Sequence, residues 1–482
     1  MHLRSFVAWV ALVSLLTGAC DTRVPSTSHG PTAGAAASPT GTPTSAATPA
    51  GQATEAPNPP LRAEGMRLLG SVPGSNADFA FWGDLAIVTN VVDWDLQSAD
   101  DGFVVIDISD AASPAVVGRF ACAGSFQDVS VWEDLAVVSQ DRITAGDTCG
   151  AGPAGELDAT AFAGLRIVSI EDPASPVLLA SVPTGVGESA GLRSVRGSHT
   201  NTIVPDLENG RLLVYAGMFY YPGATPDATI VEIPLDDPGA ARTVGAFDNG
   251  MTDTCHEVSV HLGRQLAACA GYLGGLTLFD IADLERPKIV SHMVDPQMLL
   301  DGASWHSAVF STDGRSLVVN AEIFAEDWGG SCPGGSDSTG GALRFFDIAD
   351  PQDPQLRSTF QLPRHTAGHF CYAHQSGIVP MNGDRDLLVS GWFGGGVNLV
   401  DFTDPANPRE VAFWVAGEPD GGHSFTDSAY WYNGRIYAAN LAVADMDSPV
   451  TQRGFEVFGV DDGILGETLP LSHLNPQTHE GG

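Results

Sequence analysis

The chain has 482 residues, with 58 Asp and Glu against 22 Lys and Arg, a net charge of −36, and Lys288 as its one lysine. No basic stripe exists to displace phosphate counterions, which argues against a nucleic-acid partner. Such a charge suits a soluble protein outside the cytoplasm and carries no information about fold.

Taken in chain order, residues 1–20 read as an export signal. Arg4 supplies a basic start, Phe6 to Leu16 are almost all apolar, and Thr17-Gly18-Ala19-Cys20 follow. An apolar core of that length before small residues is a cleavable secretory signal, too short to span a membrane permanently. The cysteine directly after Gly18-Ala19 resembles a bacterial lipoprotein signal. That resemblance implies a diacylated Cys20 as the mature N-terminus, anchored to a membrane of the bacterial cell envelope. Ordinary cleavage, with Cys20 lost or left free, is the alternative. Residues 21–60 are dominated by Ser, Thr, Ala, Gly and Pro, which cannot bury enough apolar surface to offset the entropy of ordering, so a flexible tether is expected. The body, 61–482, has the length of one propeller.

Within the body one phrase recurs: a small residue, an apolar run, usually Asp, then a turn with Asp and Pro. It runs Gly102-Phe-Val-Val-Ile-Asp-Ile-Ser-Asp-Ala-Ala-Ser-Pro114, then Gly164 to Pro176, a weaker Ala228 to Pro238, Gly275 to Pro287, Ala342 to Pro354, Gly396 to Pro408 and a degenerate Gly454 to Asp462, seven copies in all. Before each copy lies a hairpin pattern, as in Asp128 to Ser139 and Asp427 to Ala439, and after the turn another short run, as in Ala115 to Phe120. Four antiparallel strands per unit, repeated seven times without helical periodicity, predict an all-β fold, a seven-bladed β-propeller. Blade seven lacks an outer strand in sequence. Met66 to Val72 has that strand's pattern and is predicted to close the last blade from the N-terminal side, removing two open edges.

The repeat resembles the LVIVD-repeat family of extracytoplasmic propellers, most closely over Cys255-His-Glu-Val-Ser-Val260, Trp305 to Phe310, Ala373 to Pro380 and Ser428 to Gly434. The resemblance covers nearly the whole body and implies the fold. Members are frequently secreted, and their biochemical role is mostly unassigned.

When the blades are aligned on their third strands, five carry histidine at the start of the innermost strand: His199, His256, His306, His374 and His423. Blades one and two have Asp78 and Asp128 at the corresponding place. Inner strands line the channel of a propeller, so these side chains are expected to ring one mouth. Imidazoles with carboxylates suit Zn, Cu, Fe, Mn or Ni, and Glu257, Glu322 and Asp427 lie close enough in sequence to serve as ligands or to orient the rings. In position and residue type, though not in any motif, the ring is similar to that of selenium-binding-type methanethiol oxidases, His-rich propellers whose channel histidines bind a metal. The competing reading makes each imidazole a hydrogen-bonding link to the next blade's backbone.

The remaining cysteines, Cys122, Cys149, Cys255, Cys269, Cys332 and Cys371, form an even set suited to an oxidising compartment. Proximity along the chain suggests Cys122–Cys149, Cys255–Cys269 and Cys332–Cys371. His365 and His369 fall in a Pro- and Gly-containing loop, while His261, His292, His473 and His479 fit no set and are expected at the surface. Trp305, Trp392 and Trp431 read as blade packing. No Gly-x-Ser-x-Gly elbow, Walker loop, dinucleotide fingerprint or His-Glu-x-x-His motif occurs. Two functions follow as expectations. One is a surface-anchored module binding a protein, glycan or small molecule, with a divalent transition metal at the His-lined mouth. The other is a metal-dependent redox or hydrolytic enzyme using the same histidines.

Overall fold

Among the described residues, seven sheets of four or five strands succeed one another along the chain, one for each copy of the repeat, with a separate two-stranded sheet formed by Gly187–Ser189 and Leu192–Ser194. The computed structural model describes residues 60–91, 101–122, 124, 126–156, 158–189, 192–218, 227–250, 254–323, 340–363, 371–416, 425–442 and 453–480. The inner strands of blades 1 to 7 are Phe79–Trp82, Phe126–Trp132, Thr200–Asp206, Glu257–His261, Ala303–Phe310, Tyr372–Val379 and Thr426–Tyr432. Each is followed outward by sequence-adjacent neighbours. Hydroxyls on the inner strands donate to the inner-strand backbone of the next blade: Ser130 to Asn201 O (3.0 Å), Ser307 to His374 O (2.8 Å) and Ser428 to Ala77 O (2.6 Å). The last of these links blade 7 back to blade 1 and closes the ring.

The repeat phrase has a physical explanation at each position. Third strands such as Gly102–Asp107 are buried almost throughout, because neighbouring blades cover both faces; the fourth strand, Ala115–Ala121, is largely exposed. A strand covered on both faces reads as a continuous apolar run. The opening glycine is required by a close backbone approach from the fourth strand. A Cβ on Gly275 would lie 2.2 Å from Met293 O, and the residue has φ +105°. The closing aspartate caps a turn: Asp107 Oδ1 accepts from Ser109 N at 2.9 Å, and Asp110 Oδ1 then accepts from Ala112 N at 3.0 Å. The same pair of bonds recurs at Asp280 and Asp283, at Asp347 and Asp350, and at Asp401 and Asp404. Asp and Asn favour such turns because the short side chain reaches the backbone two residues on.

Met66–Val72 pairs antiparallel with Gly454–Val460, so the N-terminal strand completes blade 7 as the sequence predicts. Two features were not predicted. Pro60–Glu64 adds a fifth strand to blade 6, beside Arg409–Ala416. The C-terminal tail crosses the mouth at the far ends of the inner strands. Leu469 N donates to Pro380 O in blade 6, and Leu471 N to Asn433 Oδ1 in blade 7. His473–Leu474 then pairs with blade 1, Asn475 bonds Val131 of blade 2, and Thr478–His479 pairs in parallel with blade 4. Two expected disulfides are present, Cys122–Cys149 and Cys255–Cys269. The third falls on Cys332, which lies outside the described residues, as do Cys20, His365, His369 and His423.

Among the described residues, no helix is long and apolar enough to cross a membrane. The disulfides fit an oxidising compartment.

Candidate metal centre at the channel mouth

The inner strands begin at the mouth opposite the tail, and four of the five predicted histidines gather there. Successive ring centroids lie 4.6 Å (His199–His256), 4.4 Å (His256–His306) and 4.0 Å (His306–His374) apart. The sequence cannot give these distances, because the residues are brought together only by closure of the ring. Each imidazole also bonds the neighbouring blade. His256 Nδ1 donates to His306 O (3.0 Å), His306 Nδ1 to His374 O (3.1 Å) and His374 Nδ1 to Asp427 O (3.1 Å). His199 departs from this series, since its Nδ1 donates to Asp141 Oδ2 at 3.2 Å.

His306, Glu322 and His374 each bring one ligand atom to within 4.8 Å of the others. With Nδ1 of both histidines committed to backbone carbonyls, Nε2 is the ring nitrogen left for a metal. Glu322 arrives from the second strand of blade 5, Ser316–Ile323, which pairs with the strand carrying His306. The Asp427 carboxylate lies 3.1 Å from His374 Nδ1, the arrangement that fixes tautomer and ring orientation in metal-binding histidines.

The two candidate imidazoles differ in charge, and His374 would have to give up a proton to bind a metal. Burial, reinforced by the neighbouring imidazoles, pushes His256 and His306 well below the ordinary histidine range and keeps them neutral. Burial acts on His374 in the same sense, but Asp427 and Glu322 outweigh it and raise His374 to about 9. Glu322 is raised by burial, partly offset by His374, His199 and a hydrogen bond from Tyr272.

Tyr272 was not anticipated. It sits between the second and third strands of blade 4 with φ +47°, a left-handed conformation uncommon for a bulky residue. Its backbone is locked to Trp305, beside His306, by Tyr272 N to Trp305 O (3.0 Å) and Trp305 N to Tyr272 O (2.8 Å). Its ring stacks on His256 at 5.2 Å. Backbone outliers of this kind cluster at active sites and ligand clamps.

Three sequence expectations need correction. Glu257 does not join the imidazoles: Gln375 Nε2 donates to its Oε2 (2.7 Å) and Ala308 N to its Oε1 (3.2 Å), deeper in the channel. Asp78 and Asp128 are not the counterparts of the histidines. Asp128 instead matches Glu257, since each accepts from a backbone N–H of the next blade, Asn201 N at 2.6 Å and Ala308 N at 3.2 Å, and Asp78 adjoins Asp128. Among the histidines expected at the surface, His261 is buried and stacks on His479 at the tail mouth. The three tryptophans are core, each 1% exposed. A cavity of about 240 Å³ under the tail is lined by Trp132, Ile203, Ile378 and Leu471 together with His473, His479 and Glu480.

Residues 98–122 match the LVIVD repeat. No curated protein matches the chain in sequence. Among solved structures it is similar to the β-propeller domain of Cps50 (Swd1) from Myceliophteria thermophila, at 11% identity and TM-score 0.48, over 82% of this chain and 100% of that one. The chain is thus a seven-bladed β-propeller that carries an LVIVD repeat at residues 98–122.

Proposed function

We propose that the chain is a lipoprotein of the bacterial cell envelope, anchored through Cys20, whose propeller binds a protein, glycan or small-molecule ligand at the mouth where His306, Glu322 and His374 hold a divalent transition metal. The observation that carries the metal is the approach of those three residues to within 4.8 Å, with both imidazoles already oriented through Nδ1. Two imidazoles and a carboxylate are a donor set for Zn, Fe, Mn or Cu. The anchor rests on residues 1–20 and the tether on 21–60.

Metal content of the purified, unchelated protein, compared with a His306→Ala, His374→Ala double variant, tests this reading. About one equivalent in the parent and little in the variant is expected; content near zero in both sinks it. A second reading, a metal-dependent redox or hydrolytic enzyme, is favoured by the small number of protein ligands. Three ligands leave positions open for water or substrate, as in catalytic rather than structural sites. There a bound metal would polarise substrate or activate water, and Glu322 and Tyr272 would orient what binds.

A further inference from the structure

At the mouth opposite the imidazoles the C-terminal tail runs round the ring, bonding the blades in order. Thr468 bridges Met381 of blade 6, Asn433 of blade 7 holds Leu471, and Ser472 O accepts from Gly83 N of blade 1. Further on, Asn475 exchanges two bonds with Val131 of blade 2, the Thr478 hydroxyl donates to Ile203 O of blade 3, and His479 pairs with His261 of blade 4. Between the tail and the inner strands lies the cavity of about 240 Å³. Its wall is mostly hydrocarbon and indole, from Trp132, Ile203 and Ile378 on the blades and Leu471, Leu474 and Pro476 on the tail.

The polar groups of that wall are largely spent on the protein itself. Val131 uses both Asn475 amide atoms, and Ile203 O takes the Thr478 hydroxyl. His473 meets Ser472 through Nδ1 at 3.0 Å and Glu480 through Nε2 at 3.1 Å. Of the buried side-chain atoms in the wall, only His479 Nε2 lacks a partner among the described residues; burial, with His261 beside it, lowers that ring to about 3, so it stays uncharged. Among the described residues no lysine or arginine lines the space, and Glu480 adds a negative charge to a chain of net charge −36. A bound anion would meet repulsion without compensation. A bound cation would have to compete with His473 for Glu480.

We propose that this cavity binds an uncharged, apolar molecule of one or two rings, at a site separate from the imidazole centre. Protein interiors hold few cavities larger than a water molecule, and an apolar wall around one forfeits contacts that a guest of matching size restores. An engineered apolar cavity of about 150 Å³ takes benzene, so in proportion this one holds about nine or ten non-hydrogen atoms. The hydrogen bonds of the tail fix the wall before a guest arrives, which spares binding the entropy of ordering it. The guest would in turn fasten the tail to blades 2, 3 and 6, because Trp132, Ile203 and Ile378 share the wall with tail residues.

Calorimetric titration with indole, indole-3-acetate and tryptamine tests this, since the three share a ring system and differ in charge. Indole is expected to bind one to one with a Kd below about 1 mM, and each charged probe at least about 10-fold more weakly. Thr312→Trp and Leu471→Trp, which fill the space from a blade turn and from the tail, should each weaken indole at least about 10-fold. Indole should also slow amide exchange over 469–480 and raise the Tm. The His306→Ala, His374→Ala variant should bind it as the parent does. Absence of indole binding by the parent overturns the proposal, as does undiminished binding by both tryptophan variants. Binding of either charged probe as tightly as indole overturns the uncharged class, and loss of binding in the histidine variant overturns the site. Should the tryptophan variants fail to fold, nuclear Overhauser contacts from indole to the Ile203 and Ile378 methyl groups decide the matter, their absence counting against the cavity.

Discussion

His306 and His374 each commit Nδ1 to a carbonyl of the next blade, at 3.1 Å in both cases. Blade-to-blade link and metal ligand are thus not rival roles for these imidazoles: the same hydrogen bond that joins two blades fixes the tautomer that presents Nε2. The histidines are legible in sequence because each occupies the same place in a repeat that can be aligned. Tyr272 is not, since it lies off the repeat and a non-glycine φ of +47° has no sequence signal. Asp128 is misread by one residue for a related reason. The inner strands of blades 5 to 7 carry register shifts near their starts, at Trp305/Ser307, Ala373/Ser376 and Thr426/Ser428, and these displace positions that look equivalent in sequence. If Asp427 orients His374 and Tyr272 orients Glu322, then Asp427→Asn and Tyr272→Phe should each weaken metal binding about 10–100-fold. Competition against a chelator of known affinity measures this. Unchanged affinity in both variants would remove the orienting role.

At the scale of the element, the repeat is legible because its turn is local chemistry. Asp401 shows how much the turn carries: its Oδ1 accepts from Thr403 N (3.1 Å) and Thr403 Oγ1 (2.8 Å), while Oδ2 meets Arg385 (3.1 Å) and Arg409 (3.2 Å). Burial raises this acid, but Thr403 and the two arginines outweigh it and hold Asp401 below the usual carboxylate range. A depressed native pKa contributes stability that is present above the unfolded value near 4 and is lost as pH falls through the native one. The parent should therefore be more stable than Asp401→Asn by about 1–3 kcal/mol at pH 7, with the difference shrinking below about pH 4. Urea unfolding of both proteins at several pH values reads it directly; a difference independent of pH counts against the ion pairs. Beyond the turn the sequence is silent. A bulge interrupts the pairing of the third and fourth strands in blade after blade, at Val105/Ile106, Ile230/Val231, Leu278/Phe279 and Leu399/Val400. Bulges of this kind increase local twist without a fixed residue signature.

For the whole molecule, closure decides whether seven blades behave as one cooperative unit. Blade 7 has three strands until Met66–Val72 joins Gly454–Val460, and that strand brings Met66 against Trp414 and Phe458 in the core. The neighbouring strand Pro60–Glu64 is different in kind, since it is a fifth strand added to a blade already complete. Deleting residues through Glu64 removes only that addition, and the protein should still unfold cooperatively, a few degrees lower. Deleting residues through Val72 uncovers the ladder of Gly454–Val460, a buried strand turned into an open edge, and strips one face of blade 7 of its packing. Loss of the cooperative transition together with aggregation is expected there, because an unpaired apolar edge is a template for pairing with other chains. Thermal melts and light scattering on the two truncations separate the roles. Equal melting of the two would mean that the Ser428–Ala77 link and the tail, which also joins blades 6, 7 and 1, hold the ring shut without the strand.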